Sequence, residues 1–394
     1  MIWRNIASNF LTLAIVLLIG AAAAVAWAKR EFTGPGPSAI AQCVQIAPGA
    51  SLNAVSNQLA AQGVISNAYI FRAGADYMDK ARELKFGSFL MPPHASMEQI
   101  VQTVTAGGPS TCGTEVVYRV GVRENTVLLR DTNPETGAFE EMARWNPAQG
   151  DRPEPIAQAQ DQADVRLSLI MAEGVTSWQV VEALRAADFL TGEVAELPAE
   201  GSLAPDTYLL NKGADRNAIL AQMASRQAAI LAEEWEARPF GMPYETPQEA
   251  LIMASIVEKE TGQAAERPQV ASVFVNRLRQ GMRLQTDPTV IYGVTNGQGI
   301  LDRGLRRSEL DTTTPYNTYR IDGLPPTPIA NPGRAAIRAA LNPDETDYLY
   351  FVADGTGGHA FSRTLAEHNA AVARWRQIER ERGLRGDSPV QTAD

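Results

Sequence analysis

Thr246-Pro-Gln-Glu-Ala-Leu-Ile-Met-Ala-Ser-Ile-Val-Glu-Lys-Glu-Thr-Gly262 is the stretch on which the reading of this chain turns. Thr246 suits an N-cap, Pro247 the first helical position, and Glu249 completes a capping box. Gly262 supplies the stop. Between these signals Leu251, Ile252, Met253, Ala254, Ile256 and Val257 leave no polar face, so the helix is expected to be buried on all sides. Glu258 is then delivered near the end of an apolar rod. Burial disfavours the charged carboxylate and keeps it protonated near neutral pH, the state a general acid needs. At roughly 100° per residue Glu258 lies beside Leu251, Ala254 and Ser255, with Glu260 about 160° away, so the two cannot face one cleft. The stretch predicts a one-carboxylate site with Glu258 as the catalytic group and Glu260 as its rival.

Working outward, residues 223–382 form the expected catalytic domain. Glu266-Arg-Pro-Gln precedes an apolar-periodic helix through Val270, Val273, Phe274 and Leu278, stopped by Gly281. Met282 to Gly293, Thr314 to Tyr319 and Gly323 to Gly333 crowd Tyr, Asn, Gln, Thr and Asp between rigid Pro and Gly corners. Sugar rings need planar groups to stack on and fixed polar groups to reach hydroxyls, so this mixture suits a carbohydrate cleft. Its candidate substrate-binding residues are Gln285, Thr286, Asp287, Tyr292, Tyr316, Asn317 and Tyr319. Thr346 to Val352 alternates as a strand, and Phe361-Ser362 opens the last helix.

Upstream, a strand, a Gly-turn, a capping residue and an amphipathic helix recur four times, beginning at Val44, Phe86, Leu169 and Leu203. The helices follow Ser51, Ser96, Thr176 and Asp215. This order predicts two small α/β modules, at 31–122 and 165–222. The polar segment 123–164 reads as an insertion or mobile loop, and 383–394 as a disordered tail.

Residues 1–30 are expected to be a short head and a membrane anchor. Phe10 to Ala28 carries no charge and is long enough to cross a bilayer core of about 30 Å. Ala26-Trp27-Ala28 keeps a cleaved signal peptide as the competing reading. Cys43 and Cys112 flank the first module, and in an exported chain they either pair or remain two thiols. The net charge of −10, without a basic run, argues against nucleic acid as a partner. Three histidines and two cysteines in no metal-ligand spacing predict neither a zinc site nor another cofactor. His359 and His368 are expected to make structural hydrogen bonds.

Ser255-Ile-Val-Glu-Lys-Glu-Thr261, Ser272-Val-Phe-Val-Asn-Arg-Leu278, Leu284-Gln-Thr-Asp-Pro-Thr-Val-Ile-Tyr292, Pro315-Tyr-Asn-Thr-Tyr319 and Gly323-Leu-Pro-Pro326 resemble the endolytic murein transglycosylase, YceG-like, family. Tyr348-Leu-Tyr-Phe-Val-Ala-Asp354, Gly357-Gly-His-Ala-Phe361 and Glu367-His-Asn369 extend the resemblance. It implies an α+β chain: an N-terminal transmembrane helix, LysM-like modules, and a lysozyme-related, mainly helical catalytic domain with a small β part. It further implies a single-pass inner-membrane protein with its bulk in the periplasm, acting on peptidoglycan strands, with peptidoglycan synthases as candidate partners. The expected reaction is endolytic cleavage between MurNAc and GlcNAc to leave 1,6-anhydro-MurNAc ends. By motif position the resemblance assigns the acid/base to Glu258. A muramidase-type hydrolase with Asp287 as second carboxylate, and a non-catalytic glycan-binding scaffold of the division machinery, are the alternatives.

Overall fold

The structure, a computed structural model, describes residues 2–133 and 136–382; the tail expected at 383–394 lies outside the described residues. The chain divides into two compact units. The first holds residues up to Val117, Leu128–Trp145 and Asp151–Ser168; the second holds Tyr118–Val127, Asn146–Gly150 and the chain from Leu169 onward.

The first unit opens with α1 (Ile2–Thr33). Among the described residues this is the one helix long and apolar enough to cross a membrane, through Phe10–Thr33, with none of its most apolar stretch buried in the protein. It fits a single-pass anchor or a signal sequence. At its C-terminal end Phe32 enters the core of Val44, Leu59, Phe71, Ile100 and Val104. Around that core β1 (Gln42–Ile46) is followed by α2 (Leu52–Ala61), α3 (Ala68–Tyr77), β2 (Gly87–Met91) and α4 (Met97–Ala106). β1 pairs antiparallel with β2, with Gln42 opposite Met91 and Ile46 opposite Gly87. The cysteines do pair: Cys43 and Cys112 form a disulfide with their Cα atoms 5.8 Å apart.

The segment 123–164, read from its polar composition as an insertion or mobile loop, carries regular structure. After β3 (Glu115–Val120) come β4 (Asn125–Thr132), β5 (Phe139–Trp145) and α5 (Glu154–Asp161). Val127, Leu128 and Leu129 are buried there, an apolar run masked in sequence by its polar flanks. β6 (Arg166–Met171) follows, and the division between units falls inside β3, β4 and β6.

The second unit continues with α6 (Ser177–Ala186), β7 (Thr207–Leu210), α7 (Arg216–Glu236), α8 (Pro247–Glu260), α9 (Arg267–Arg279) and α10 (Asp287–Thr295). It closes with α11 (Arg307–Asp311), α12 (Arg334–Leu341), β8 (Tyr350–Ala353), β9 (His359–Ser362) and α13 (Leu365–Glu381). Within the first unit the strand order is β5-β4-β3, and within the second it is β3-β6-β7. Each of the four recurring patterns has its strand, cap and helix, with Ser51, Ser96, Thr176 and Asp215 accepting from a first-turn backbone N–H. Phe361 and Ser362, expected to open the last helix, instead end β9, and Thr364 caps α13.

α8 forms as its caps dictate, with a reciprocal box between Thr246 and Glu249. Every residue from Ala250 to Val257 is buried, against Val270, Phe274, Leu284, Ile329 and Ile337. Burial of each large apolar side chain contributes about 1.5–3 kcal/mol, and truncating the fully buried Met253 to Ala would cost about 2–5 kcal/mol. The stop differs from expectation. Thr261, extended at φ −138°, ends the helix, and its hydroxyl accepts from the Gln263 N–H at 3.0 Å. Gly262 plays no left-handed role.

Candidate active site

α8 ends in Glu258-Lys259-Glu260, and its helical turn sends the two carboxylates into different environments. Glu258 is held on both oxygens. Oε1 accepts from Arg267 Nη2 at 3.1 Å, and Oε2 from the backbone N–H of Gly333 at 3.0 Å. Arg267 also reaches Glu173 at 3.1 Å, and the Glu258 side chain is only 4% exposed. A Cβ at position 333 would lie 1.8 Å from a Glu173 oxygen, so any larger residue there would push the Glu173 carboxylate aside. Burial pushes the Glu258 carboxyl upward, with the Gly333 N–H and Arg267 opposing and Glu173 adding to the rise.

Lys259 belongs to the same side. Its Nζ donates to the Gly174 carbonyl at 3.2 Å, and burial pulls its pKa down against the opposing charges of Glu258 and Glu200. Glu200 is raised, again by burial first. It accepts from the Ser177 N–H at 2.8 Å and from the Tyr292 hydroxyl at 3.2 Å.

Glu260 lies in the other environment. Oε1 accepts from the hydroxyl of Thr286, a fully buried residue whose own N–H donates to Thr318 Oγ1 at 3.0 Å. Beside it Tyr319 donates its hydroxyl to Asp287 Oδ1 at 2.6 Å. Burial lifts the Glu260 carboxyl to about 7; the Asp287 charge adds to this, while the Thr286 hydrogen bond, His359 and Arg277 oppose it. Burial also raises Asp287, against the Tyr319 bond, and lifts the Tyr319 phenol far above its usual range. Arg277 is 4% exposed and spends its guanidinium on the carbonyls of Leu349 and Leu284, each at 2.7 Å. His359 is fixed by Glu266 through its ring Nδ1 at 2.8 Å and its backbone N–H at 2.9 Å.

Four of the residues nominated from sequence therefore gather at Glu260. Gln285 holds a left-handed φ of 49° that turns the chain into Thr286 and Asp287, and Tyr319 completes the group. Tyr292 and Tyr316 form a separate ring pair, 5.0 Å between centroids, that leads to Glu200 instead. Asn317 is buried with its amide on the carbonyls of Glu309, Leu310 and Thr312, a turn-holding arrangement. Sequence reading missed Arg267, Gly333, Glu200 and Glu173. Arg277 did leave a signal, because an arginine inside an apolar helix face needs buried partners. Among the described residues no group of three or more His, Cys, Asp or Glu could hold a metal ion.

The two carboxylates differ in what they can do. Glu258 would have to break an ion pair and surrender a backbone hydrogen bond to move a proton. Glu260 carries a neutral hydroxyl on one oxygen, and its carboxyl, lifted by burial to about 7, has a proton affinity matched to neutral pH.

The model of the YceG-like family matches residues 44–143 and 144–374. The chain is 29% identical over 340 residues to a Bacillus subtilis protein named endolytic murein transglycosylase, covering 86% of each. A Streptococcus pneumoniae protein of the same name is 27% identical over 340 residues, covering 82% of this chain and 58% of that one. A crystal structure of a YceG-like protein from Listeria monocytogenes aligns at 27% identity and a TM-score of 0.45, covering 84% of this chain and 98% of that one.

Proposed function

The chain belongs to the YceG-like family, and from that membership and the site we propose that it is a peptidoglycan lytic transglycosylase that cuts within glycan strands. The observation that carries the chemistry is the Glu260 carboxyl, raised to about 7 and held by the neutral Thr286 hydroxyl among residues suited to a sugar. The reading from sequence put Glu258 in this role with Glu260 as rival; the geometry favours Glu260, with Glu258 as a structural anchor for Arg267 and Gly333.

In the proposed reaction the Glu260 carboxyl protonates the oxygen between MurNAc and GlcNAc as the bond to the MurNAc anomeric carbon breaks, the electron pair leaving with that oxygen. The resulting carboxylate takes the proton of the MurNAc C6 hydroxyl, whose oxygen closes on the anomeric carbon. The product is a 1,6-anhydro-MurNAc end; no water is consumed and Glu260 ends protonated. Asp287 and the Tyr319 hydroxyl beside it stabilise the oxocarbenium-like transition state. Asp287 also supports a second reading, a hydrolase with two carboxylates.

The rest of the expected organisation belongs to this proposal: a LysM-like module at 31–122, a second small α/β module at 165–222, a lysozyme-related catalytic domain at 223–382, an inner-membrane anchor and a periplasmic bulk. The long apolar α1 and the disulfide support an exported chain.

Mass spectrometry of glycan fragments tests the reaction, comparing the parent protein with Glu260→Gln and Glu258→Gln. Anhydro ends from the parent and from Glu258→Gln, but none from Glu260→Gln, are expected. Reducing ends carrying solvent oxygen would favour the hydrolase, and cleavage surviving in Glu260→Gln while lost in Glu258→Gln would return the role to Glu258.

A further inference from the structure

A groove of 790 Å³ opens beside α6, lined among others by Trp178, Asn125, Gln149, Arg185 and Ile300. None of these residues takes part in the Glu258 or Glu260 environments described above. One polar atom of the lining residues is buried and unsatisfied. Asn125 donates Nδ2 to the Gln179 carbonyl at 2.9 Å, which fixes the orientation of its amide. Its Oδ1 is left buried with no hydrogen-bond partner among the described residues. A buried acceptor without a partner is destabilising, so the site is complementary to a ligand that brings an O–H or N–H.

The aromatic side of the groove is Trp178, the second residue of α6. Helix formation does not call for tryptophan there, since the Thr176 and Gln179 capping box already starts α6. The side chain is only half-buried and lines the groove. A flat apolar plate next to an unmet acceptor matches a pyranose ring, which has an apolar C–H face and an edge of donors.

The groove is also tied to the acid. Thr176 donates its hydroxyl to the Gly297 carbonyl at 2.8 Å, joining the start of α6 to the loop after α10, and Gly299, Ile300 and Asp302 of that loop line the groove. α10 begins at Asp287, next to the residue that holds Glu260, and its nine residues span about 13 Å.

We propose that this groove is a second glycan subsite. It takes an N-acetylhexosamine of the strand being cut, with the pyranose face on Trp178 and a hydroxyl or acetamido N–H donating to Asn125 Oδ1. The proposal rests on the transglycosylase reading. Because α10 separates the groove from the acid by one fixed length, a sugar held in the groove sets the position of the cut along the strand.

The test uses the full chain in detergent and peptide-free glycan strands. Strand binding is measured on Glu260→Gln with and without Trp178→Ala, Trp178→Phe and Asn125→Ala. Product lengths are measured with the same groove substitutions in the active protein. The expected result is at least fivefold weaker binding for Trp178→Ala and for Asn125→Ala, recovery in Trp178→Phe, and a changed distribution of product lengths. If the parent cuts strands and the groove variants bind and cut as it does, the groove proposal alone falls. If the parent neither binds nor cuts strands, the reading of the Glu260 site falls and takes the groove with it.

Discussion

Thr286, 26 residues further along the chain, places its hydroxyl on the Glu260 carboxylate. That contact separates two carboxylates that a short helix end offers side by side, one anchored by charge and one held by a neutral donor.

Glu260→Gln is expected to lower strand cleavage about a thousandfold, the scale of a lost general acid. Glu258→Gln should keep cleavage within about tenfold but melt earlier. It strips the charge facing Arg267 and costs about 1–3 kcal/mol. Paired activity assays and thermal melts check both. An equal loss of cleavage in the two variants, with unchanged melting, would contradict the division of roles.

The Glu260 carboxyl stands at about 7 in the fold against 4.5 in an unfolded chain. A raised carboxyl is not penalised below about pH 4.5, and folding stability falls as pH rises from there through about 7. The full effect above pH 7 is about 3 kcal/mol. Glu260→Gln should therefore melt higher than the parent at pH 8, with the gap closing by pH 4.5. Cleavage by the parent should fall on the alkaline side of about pH 7, as the acid loses its proton.

Asp287→Asn removes a negative charge that raises Glu260, so the alkaline limb of the pH profile should move to lower pH. Thr286→Val removes a donor that favours the charged form, so the limb should move to higher pH, with about tenfold lower maximal rate and recovery in Thr286→Ser. Arg277 of α9 and His359 of β9 also act on Glu260 and stay in place in both variants. Shifts in the same direction would refute the assignment.

Reduction of Cys43–Cys112, 69 residues apart, should destabilise the first unit by about 4 kcal/mol on a chain-entropy basis. Melting with and without reductant measures this. No change would show that the bond adds nothing to the unit.

The helix that carries the site was legible because three independent signals agreed over α8: a capping box, Pro at the start and an unbroken apolar run. Its end was misread because glycine is the usual stop, whereas here a threonine turns extended and bonds its own next turn. α10 was hidden because Leu284-Gln-Thr-Asp-Pro reads as a turn, although Pro288 sits at a helix start where its missing N–H costs nothing. Angular arithmetic separated Glu258 from Glu260 correctly. It could not say which one meets a cation, because Arg267 lies beyond a turn whose direction no local pattern specifies.

The Cys43–Cys112 bond has a meaning beyond its energy. Such bonds persist mainly in oxidising compartments, so a copy of this chain held in a reducing cytosol would carry a looser first unit. That copy would open more often and offer more cleavable backbone to resident proteases. If the chain is exported as proposed, molecules that reach an oxidising compartment would gain the link and outlast the rest, and the cell's standing stock of the protein would be weighted toward delivered copies without a dedicated sorting step.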